Sequence, residues 1–327
     1  MDIYFNELYG KLGEFIEEGE CISFHIKTKN GTASNMFILR KAPYLVDGIQ
    51  YYDIVTPYGY GGPIVTEASN STELVKDYNK EFSVFCKDRK IVSEFIRYHP
   101  IYRNWEPFSD VYENCYSRHT IGTNLRDYDD PIQSEFSKSA RKELRRAESN
   151  DVTCTIHESP SSLMVFRKLY EKTMDRNGAP SVYYFPTDYY RILETKLSPY
   201  VLEIQAHYHN EVIASEIYLI QGEFMHAHLL GSDERLLQTD GGIMLEATAA
   251  RWGKAHGYSF IHHGGGRTSS DNDSLYQYKK KFGRHTQFDF YVGKKVWDSN
   301  IYKRLLDIRL ESGPIKDDDF FPLYRAQ

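Results

Sequence analysis

Three runs of alternating apolar and polar residues follow one another between 201 and 230: VLEIQAHY, VIASEIYLI and EFMHAHLL, separated only by HNE and QG. A period of two marks strands, and breaks this short close hairpins. The chain therefore forms an antiparallel meander here. It then enters IMLEATAARWGKAHG (243–257), where Leu245, Ala249, Trp252 and His256 recur at helical spacing and Gly257 supplies a stop. YSFIHH (258–263) reads as another strand. A helix between two strands crosses the sheet and returns the second strand parallel, which removes most competing topologies.

The flanks extend the pattern. Residues 131–149 read as a basic helix and VTCTIHE (152–158) as a strand. Residues 161–179 form a helix with Leu163, Phe166, Leu169, Tyr170 and Met174 on one face, stopped at Asn177-Gly178. A further helix is predicted near 187–197, a short one in SLYQYKKKFG (274–283) and a strand in QFDFYVG (287–293). The first half repeats the theme in part. Strands at 21–27, 35–41 and 49–55 lead through TPYGYGGPIV to a helix over 71–89 and a strand over 90–100. The expected fold class is α/β with mixed sheets, in two similar domains at 1–135 and 136–295. The tail 296–327 is free to pack back on the first.

Composition excludes some functions. The net charge is −6, which argues against binding nucleic acid through a broadly basic surface. Cys21, Cys86, Cys115 and Cys154 are scattered without metal-ligand spacing and read as reduced thiols. The N-terminus is acidic and lacks the apolar core of a signal peptide. No stretch approaches the ~20 apolar residues of a membrane helix. The expectation is a cytoplasmic protein without stable membrane insertion. His226 and His228 stand two apart on one strand, but no carboxylate or cysteine joins them at metal-like spacing, so no metal site is expected.

Five motifs in order, TPYGYGGP (56–63), FIRYHP (95–100), RKELRRAE (141–148), IHHGGG (261–266) and DNDSLYQYKKKFG (271–283), resemble the Fem family of transferases. That family includes peptidoglycan bridge enzymes and related GNAT-like proteins encoded with polysaccharide genes. The resemblance implies two tandem GNAT-like domains with a cleft between them and transfer of an acyl group to an amine. Characterised members move an aminoacyl group from aminoacyl-tRNA to a nucleotide- or lipid-linked cell-wall precursor. Other relatives are thought to use acyl-CoA. The long helical-hairpin insertion of some members is absent. No tightly bound cofactor is implied.

Acyl transfer to an amine needs a deprotonated amine, a nearby electrophile, a stabilised oxyanion and a departing group, not a dedicated triad. No GxSxG or comparable nucleophile motif is present. By resemblance, Lys279 and Tyr278 are the functional lysine and its aromatic neighbour. Lys279 would neutralise a phosphate or stabilise the oxyanion, and Tyr278 would protonate a departing CoA thiolate; the alternative for the lysines is a solvated helix face. His228 and His263 are candidates to orient the acceptor or act as base. Gly264, Gly265 and Gly266 would shape the floor of the cleft or simply turn the chain.

Gln238, Gly241 and Gly242 stand where CoA-binding GNAT proteins hold a pyrophosphate on a helix N-terminus. Ile243 departs from that motif, and its branched side chain would crowd a phosphate; an Asp240 cap is the structural alternative. In the first domain, Tyr58, Gly59, Tyr60, Gly61 and Gly62 read as a flexible aromatic loop, with Arg97 and His99 on the following strand. The resemblance gives that domain to the acceptor. Three readings stay open: aminoacyl transfer from charged tRNA, acyl-CoA-dependent N-acetylation of an amino sugar, and a non-catalytic binding protein.

Overall fold

The computed structural model describes residues 1–234 and 239–326. In chain order the helices are α1 (Glu7–Glu17), α2 (Ser71–Asp88), α3 (Pro131–Glu135), α4 (Lys138–Ser149), α5 (Met164–Arg176), α6 (Thr187–Glu194), α7 (Gly241–Ala255), α8 (Ser274–Lys280) and α9 (Ser299–Glu311). The strands are β1 (Glu20–Thr28), β2 (Gly31–Val46), β3 (Ile49–Val55), β4 (Ile64–Ala68), β5 (Ile91–Arg97), β6 (Glu113–Asn124), β7 (Thr153–Glu158), β8 (Val201–Tyr208), β9 (Glu211–Gln221), β10 (Phe224–Ser232), β11 (Phe260–Gly265) and β12 (Gln287–Val296). Among the described residues no helix is long and apolar enough to cross a membrane.

The chain divides into two compact units. One comprises Met1–Ile3 with Arg118–Asp289, the other Tyr4–Ser117 with Phe290–Gln327. In the first, called here the C-unit, the sheet order is β6-β11-β10-β9-β8-β7. The predicted meander β8-β9-β10 is antiparallel, and β11 returns parallel to β10 after α7. The turn from β8 to β9 takes His209 and Asn210 at φ 50° and 64°, the double left-handed geometry that matches strand twist. Helix α7 lies in the core: Leu245, Ala247, Ala249 and Ala250 are buried with Leu202, Ile204, Ile213 and Tyr218. The single helix expected over 131–149 is two. Ser137 leaves helical geometry and its hydroxyl accepts from Ala140 N, starting α4 afresh.

The other unit, the N-unit, orders its strands β1-β2-β3-β5-β12, with β4 on β2. Strands β4 and β6 were not anticipated from the sequence. Helix α2 presents Leu74, Tyr78 and Phe82 to Phe37, Ile54 and Ile96. Asn70 caps it by accepting from Glu73 N. The tail returns to this unit: Leu305 and Tyr324 are buried with Ala42, Val46 and Val92. Arg325 binds the buried Asp53 carboxylate at 2.6 Å.

Candidate active site

Strands β10 and β11 pair at only three positions, Phe224–Phe260, Met225–Ile261 and His226–His262. Beyond them β10 continues to Ser232 and β11 to Gly265 without pairing further with each other among the described residues. Each strand is irregular where the pairing ends. Against β9 the register of β10 shifts between Ala227 and Leu229, making His228 the extra residue. Against β6 the register of β11 shifts between His262 and Gly264, making His263 the extra residue. Bulges re-aim a side chain and end a ladder, and here two of them part a parallel pair with a histidine at each.

The bulges separate the histidines' environments. His226 meets the Asp2 carboxylate at 2.7 Å, and His228 Nε2 meets the Tyr189 hydroxyl at 2.6 Å. His263 Nε2 lies 2.8 Å from Thr123 Oγ1. Burial pulls both His228 and His263 down to about 3, so both imidazoles are neutral at physiological pH. The expected shared strand face of His226 and His228 is thus broken by the bulge.

Gly264 takes φ +75° just beyond the bulge, a conformation glycine adopts without penalty. The next two carbonyls are engaged: Lys279 Nζ donates to Gly265 O at 2.9 Å, and Arg118 donates to Gly266 O at 2.9 Å. Asp273 starts α8 by accepting from Leu275 N and Tyr276 N, and from Arg267 N and Thr268 N of the preceding loop. These bonds hold its carboxyl down to about 2. The cap fixes the direction of α8, and its last turn delivers Tyr278 and Lys279.

The three lysines diverge. Lys280 lies over the Tyr276 ring and Lys281 pairs with Glu143 at 2.9 Å. Lys279 is half-buried, and loss of hydration lowers it to about 8, against the pull of Glu246, Glu216 and Asp273. Glu216 on β9 and Glu246 on α7 are both buried. The Tyr218 hydroxyl donates to Glu216 Oε2 at 2.7 Å, and Glu246 Oε2 lies 3.4 Å from His263 Nδ1. Burial raises Glu216 to about 7 and pushes Glu246 well above the carboxylate range. Neither glutamate was predicted as a site residue. Each was nonetheless visible as a lone charge in an apolar run, IASEIYLI and IMLEATAA.

Gly241 and Gly242 open α7. The side chain of Asp240 does not cap them; it forms an ion pair with Arg146 instead. Ile243, expected to crowd this turn, faces the core and is 4% exposed. A Cβ placed on Gly242 would lie 3.0 Å from the Tyr278 hydroxyl, so Tyr278 stands against the helix start. Gln238 lies outside the described residues.

The N-unit residues proposed to bind an acceptor are tightly held. Tyr58 O accepts from the Tyr9 hydroxyl at 2.5 Å, and Tyr60 packs edge-on against Tyr4 and Phe290. Gly59 and Gly62 have φ of +96° and +86°, and Gly61 N donates to Arg97 O at 2.8 Å. Arg97 binds Glu17 at 2.6 Å and Thr56 O at 2.5 Å. His99 is buried, its Nδ1 accepting from Tyr102 N. A loop expected to be flexible is therefore packed. The same unit has a cavity of about 1120 Å³ lined in part by Glu17, Arg40, Lys41 and Arg325. Arg40 is engaged by Glu17 and Asp53, and Arg325 by Asp53.

Residues 134–280 match the acetyltransferase (GNAT) domain family. No curated relative matches the sequence. Among solved structures the chain is similar to FemX, at 13% identity over 93% of this chain and 94% of that one, with a TM-score of 0.69. It is also similar to L-PGS from Bacillus licheniformis, at 15% identity over 93% and 97% with a TM-score of 0.56. A tandem GNAT protein from the clavulanic acid biosynthesis pathway aligns at 8% identity over 88% and 87%, with a TM-score of 0.50. At these identities the likeness is one of fold. Residues 134–280 thus carry a GNAT-type acetyltransferase domain, and the chain as a whole has a Fem-like, tandem GNAT fold.

Proposed function

We propose that the chain is an N-acyltransferase whose reaction takes place where β10 and β11 part, with Lys279 stabilising the oxyanion. The observation that carries this reading is a half-buried lysine, anchored to Gly265 O beside two buried carboxylates, at the end of a split parallel pair. Ligands of open α/β sheets bind outside the carboxyl ends of strands that diverge. An acceptor amine, once neutral, attacks the acyl carbonyl. Negative charge grows on the carbonyl oxygen, and the ammonium of Lys279 offsets it in a low-dielectric setting. Collapse of the tetrahedral species breaks the bond to the carrier, and the proton lost by the amine nitrogen ends on the departing oxygen or sulfur. His228 and His263, held neutral, orient groups rather than store a proton.

The Fem resemblance favours an aminoacyl group, or another acyl group, moved to an amine of a nucleotide- or lipid-linked cell-envelope precursor. Aminoacyl-tRNA is the donor that goes with it. The Gly242–Tyr278 contact favours a second reading, acyl-CoA as donor and an amino sugar as acceptor. There the helix start, which the Asp240 side chain leaves uncapped, would face a phosphate and Tyr278 would protonate the leaving thiolate. The peptidoglycan link follows from the Fem resemblance.

The deciding assay offers the purified protein charged tRNA or acetyl-CoA, each with UDP-linked muropeptide or amino-sugar acceptors, and reads products by mass spectrometry. An N-acylated product with one donor supports that donor's reading. Absence of product with every pair, from protein shown to be folded, overturns the enzymatic proposal in favour of a binding protein.

A further inference from the structure

The protons in the cluster around Lys279 can be counted. Thr123 has one hydroxyl proton, and its Oγ1 lies 2.8 Å from Phe282 O and 2.8 Å from His263 Nε2. A carbonyl oxygen can only accept, so the Thr123 proton goes to Phe282. His263 Nε2 must then be the donor to Thr123. A neutral imidazole carries one N–H, which leaves a bare lone pair on Nδ1. That lone pair faces Glu246 Oε2 at 3.4 Å, in a site where both residues are buried. Two acceptors facing each other away from water repel. A carboxylic acid in the same place donates.

On β9 the count runs the other way. The Tyr218 proton is directed to Glu216 Oε2 at 2.7 Å, whereas Glu246 Oε2 is 3.5 Å from that hydroxyl. Glu216 is therefore the acceptor of the two. We infer that Glu246 is a buried carboxylic acid that donates a hydrogen bond to His263 Nδ1, that Glu216 is the carboxylate, and that the pair acts as positioning residues leaving Lys279 opposite a single negative charge.

This inference rests on Lys279 as the oxyanion group of the proposed function, and it explains how that group stays usable. Two ionised glutamates would hold the ammonium in ion pairs. One balances its charge, and among the described residues only Gly265 O takes a hydrogen bond from Nζ. The other charged or titratable groups around the cluster are accounted for. Asp273 is engaged by the N–H groups of Arg267, Thr268, Leu275 and Tyr276, and Glu143 on α4 by Lys281. Tyr278 is kept in its neutral form by burial, and so is His263. Burial raises both carboxyls, the direction that a site holding one proton between them requires.

The test needs no substrate. Intact protein is labelled with trace acetic anhydride between pH 6 and 10, and the Lys279 peptide is quantified by mass spectrometry for the wild type, Glu246→Gln and Glu216→Gln. The wild-type midpoint is expected near 8. Glu246→Gln should leave it within a few tenths of a unit, because the amide keeps a neutral donor opposite Nδ1. Glu216→Gln should lower it by about one unit or more, an approximately tenfold gain in neutral amine below the midpoint.

Equal lowering by both variants would overturn the assignment, since Glu246 would then carry charge as well. Should Glu216→Gln fail to fold, infrared difference spectroscopy at pH 9, where Glu94 and Glu216 are both ionised, decides instead. A protonated-carboxyl band absent from Glu246→Gln supports the assignment, and its absence from the wild type sinks it. Because labelling is independent of turnover, an inactive protein with the expected titration would refute the proposed function and leave the proton assignment standing.

Discussion

Both units build a parallel strand pair after a three-strand meander and a helix, but only one leaves the pair open. In the N-unit, β3 and β5 pair at Tyr52–Ile91, Asp53–Ser93, Ile54–Glu94 and Val55–Phe95. The backbone then carries on: Thr56 N donates to Phe95 O at 3.2 Å, and Gly61 forms a parallel bridge to Tyr98. Asn104 fastens this strap by donating to Gly61 O and Pro63 O while accepting from His99 N. In the C-unit, β10 and β11 part after three pairs, with a bulge on each. The buried carboxylates differ in the same sense. Glu94 receives Asn35 Nδ2 at 2.8 Å and Trp297 Nε1 at 3.1 Å, one donor on each oxygen. Glu216 and Glu246 share a single hydroxyl and lie within electrostatic reach of Lys279. Burial and a raised pKa occur in both units, so neither marks a site. The mark is an acid left short of donors beside an opening in the sheet.

The sharpest way to break this contrast is Lys279→Met. It removes the cation and keeps the stem, so turnover should fall by ~10²-fold or more, as when an oxyanion donor is lost. Circular dichroism and the melting temperature should barely change. Activity surviving intact would end the role given to this lysine. The pH profile is a companion readout. The rate should decline as pH rises through about 8, where Lys279 loses its proton. Next in size, Tyr278→Phe separates the two donors. With acyl-CoA the loss of an acid is expected to lower kcat ~10²-fold, the low end for general acid catalysis. With aminoacyl-tRNA the rate should hold.

Much of this architecture was legible because it is local. The alternation in 201–230, the helix of 243–257 and the glycine after it each specify an element with nearest neighbours only. What was hidden depends on contacts far apart in sequence. The bulges at His228 and His263 arise from pairing with β9 and β6, and no single-strand pattern contains them. Asp240 has the type and position of a helix cap, yet Arg146, 94 residues away, takes its carboxylate. Lys279 could be told from Lys280 and Lys281 only by resemblance, since all three share one short helix. Glu216 and Glu246 were readable as misfits in apolar runs, but their partnership through Tyr218 required the packing of α7 on β9.

Asn104→Ala tests whether the strap is structural. It leaves three buried backbone groups without their partner, and each such loss costs about 1–3 kcal/mol. The midpoint of chemical denaturation should fall accordingly. Catalytic constants of the surviving folded protein should be near those of the wild type. A selective rise in KM for the acceptor would instead give the N-unit loop the binding role that its packing argues against.

The smallest effect separates the two kinds of buried acid. Burial raises Glu94 to about 7 from an ordinary value near 4.5. The folded state therefore binds a proton that the unfolded chain releases between those two values. Its contribution to stability is fully present below about 4.5 and is lost as pH rises through about 7. Glu94→Gln removes the titration while keeping acceptor capacity for Asn35 or Trp297, so the fall in stability from pH 5 to 7 should flatten, with no change in the rate profile. Glu216 is raised to the same value, so Glu216→Gln should flatten the same slope. It should also move the alkaline limb of the rate, because its charge bears on Lys279. If both variants altered stability alone, the acids of the two units would be equivalent and the cluster at β10 and β11 would be as structural as the one around Glu94.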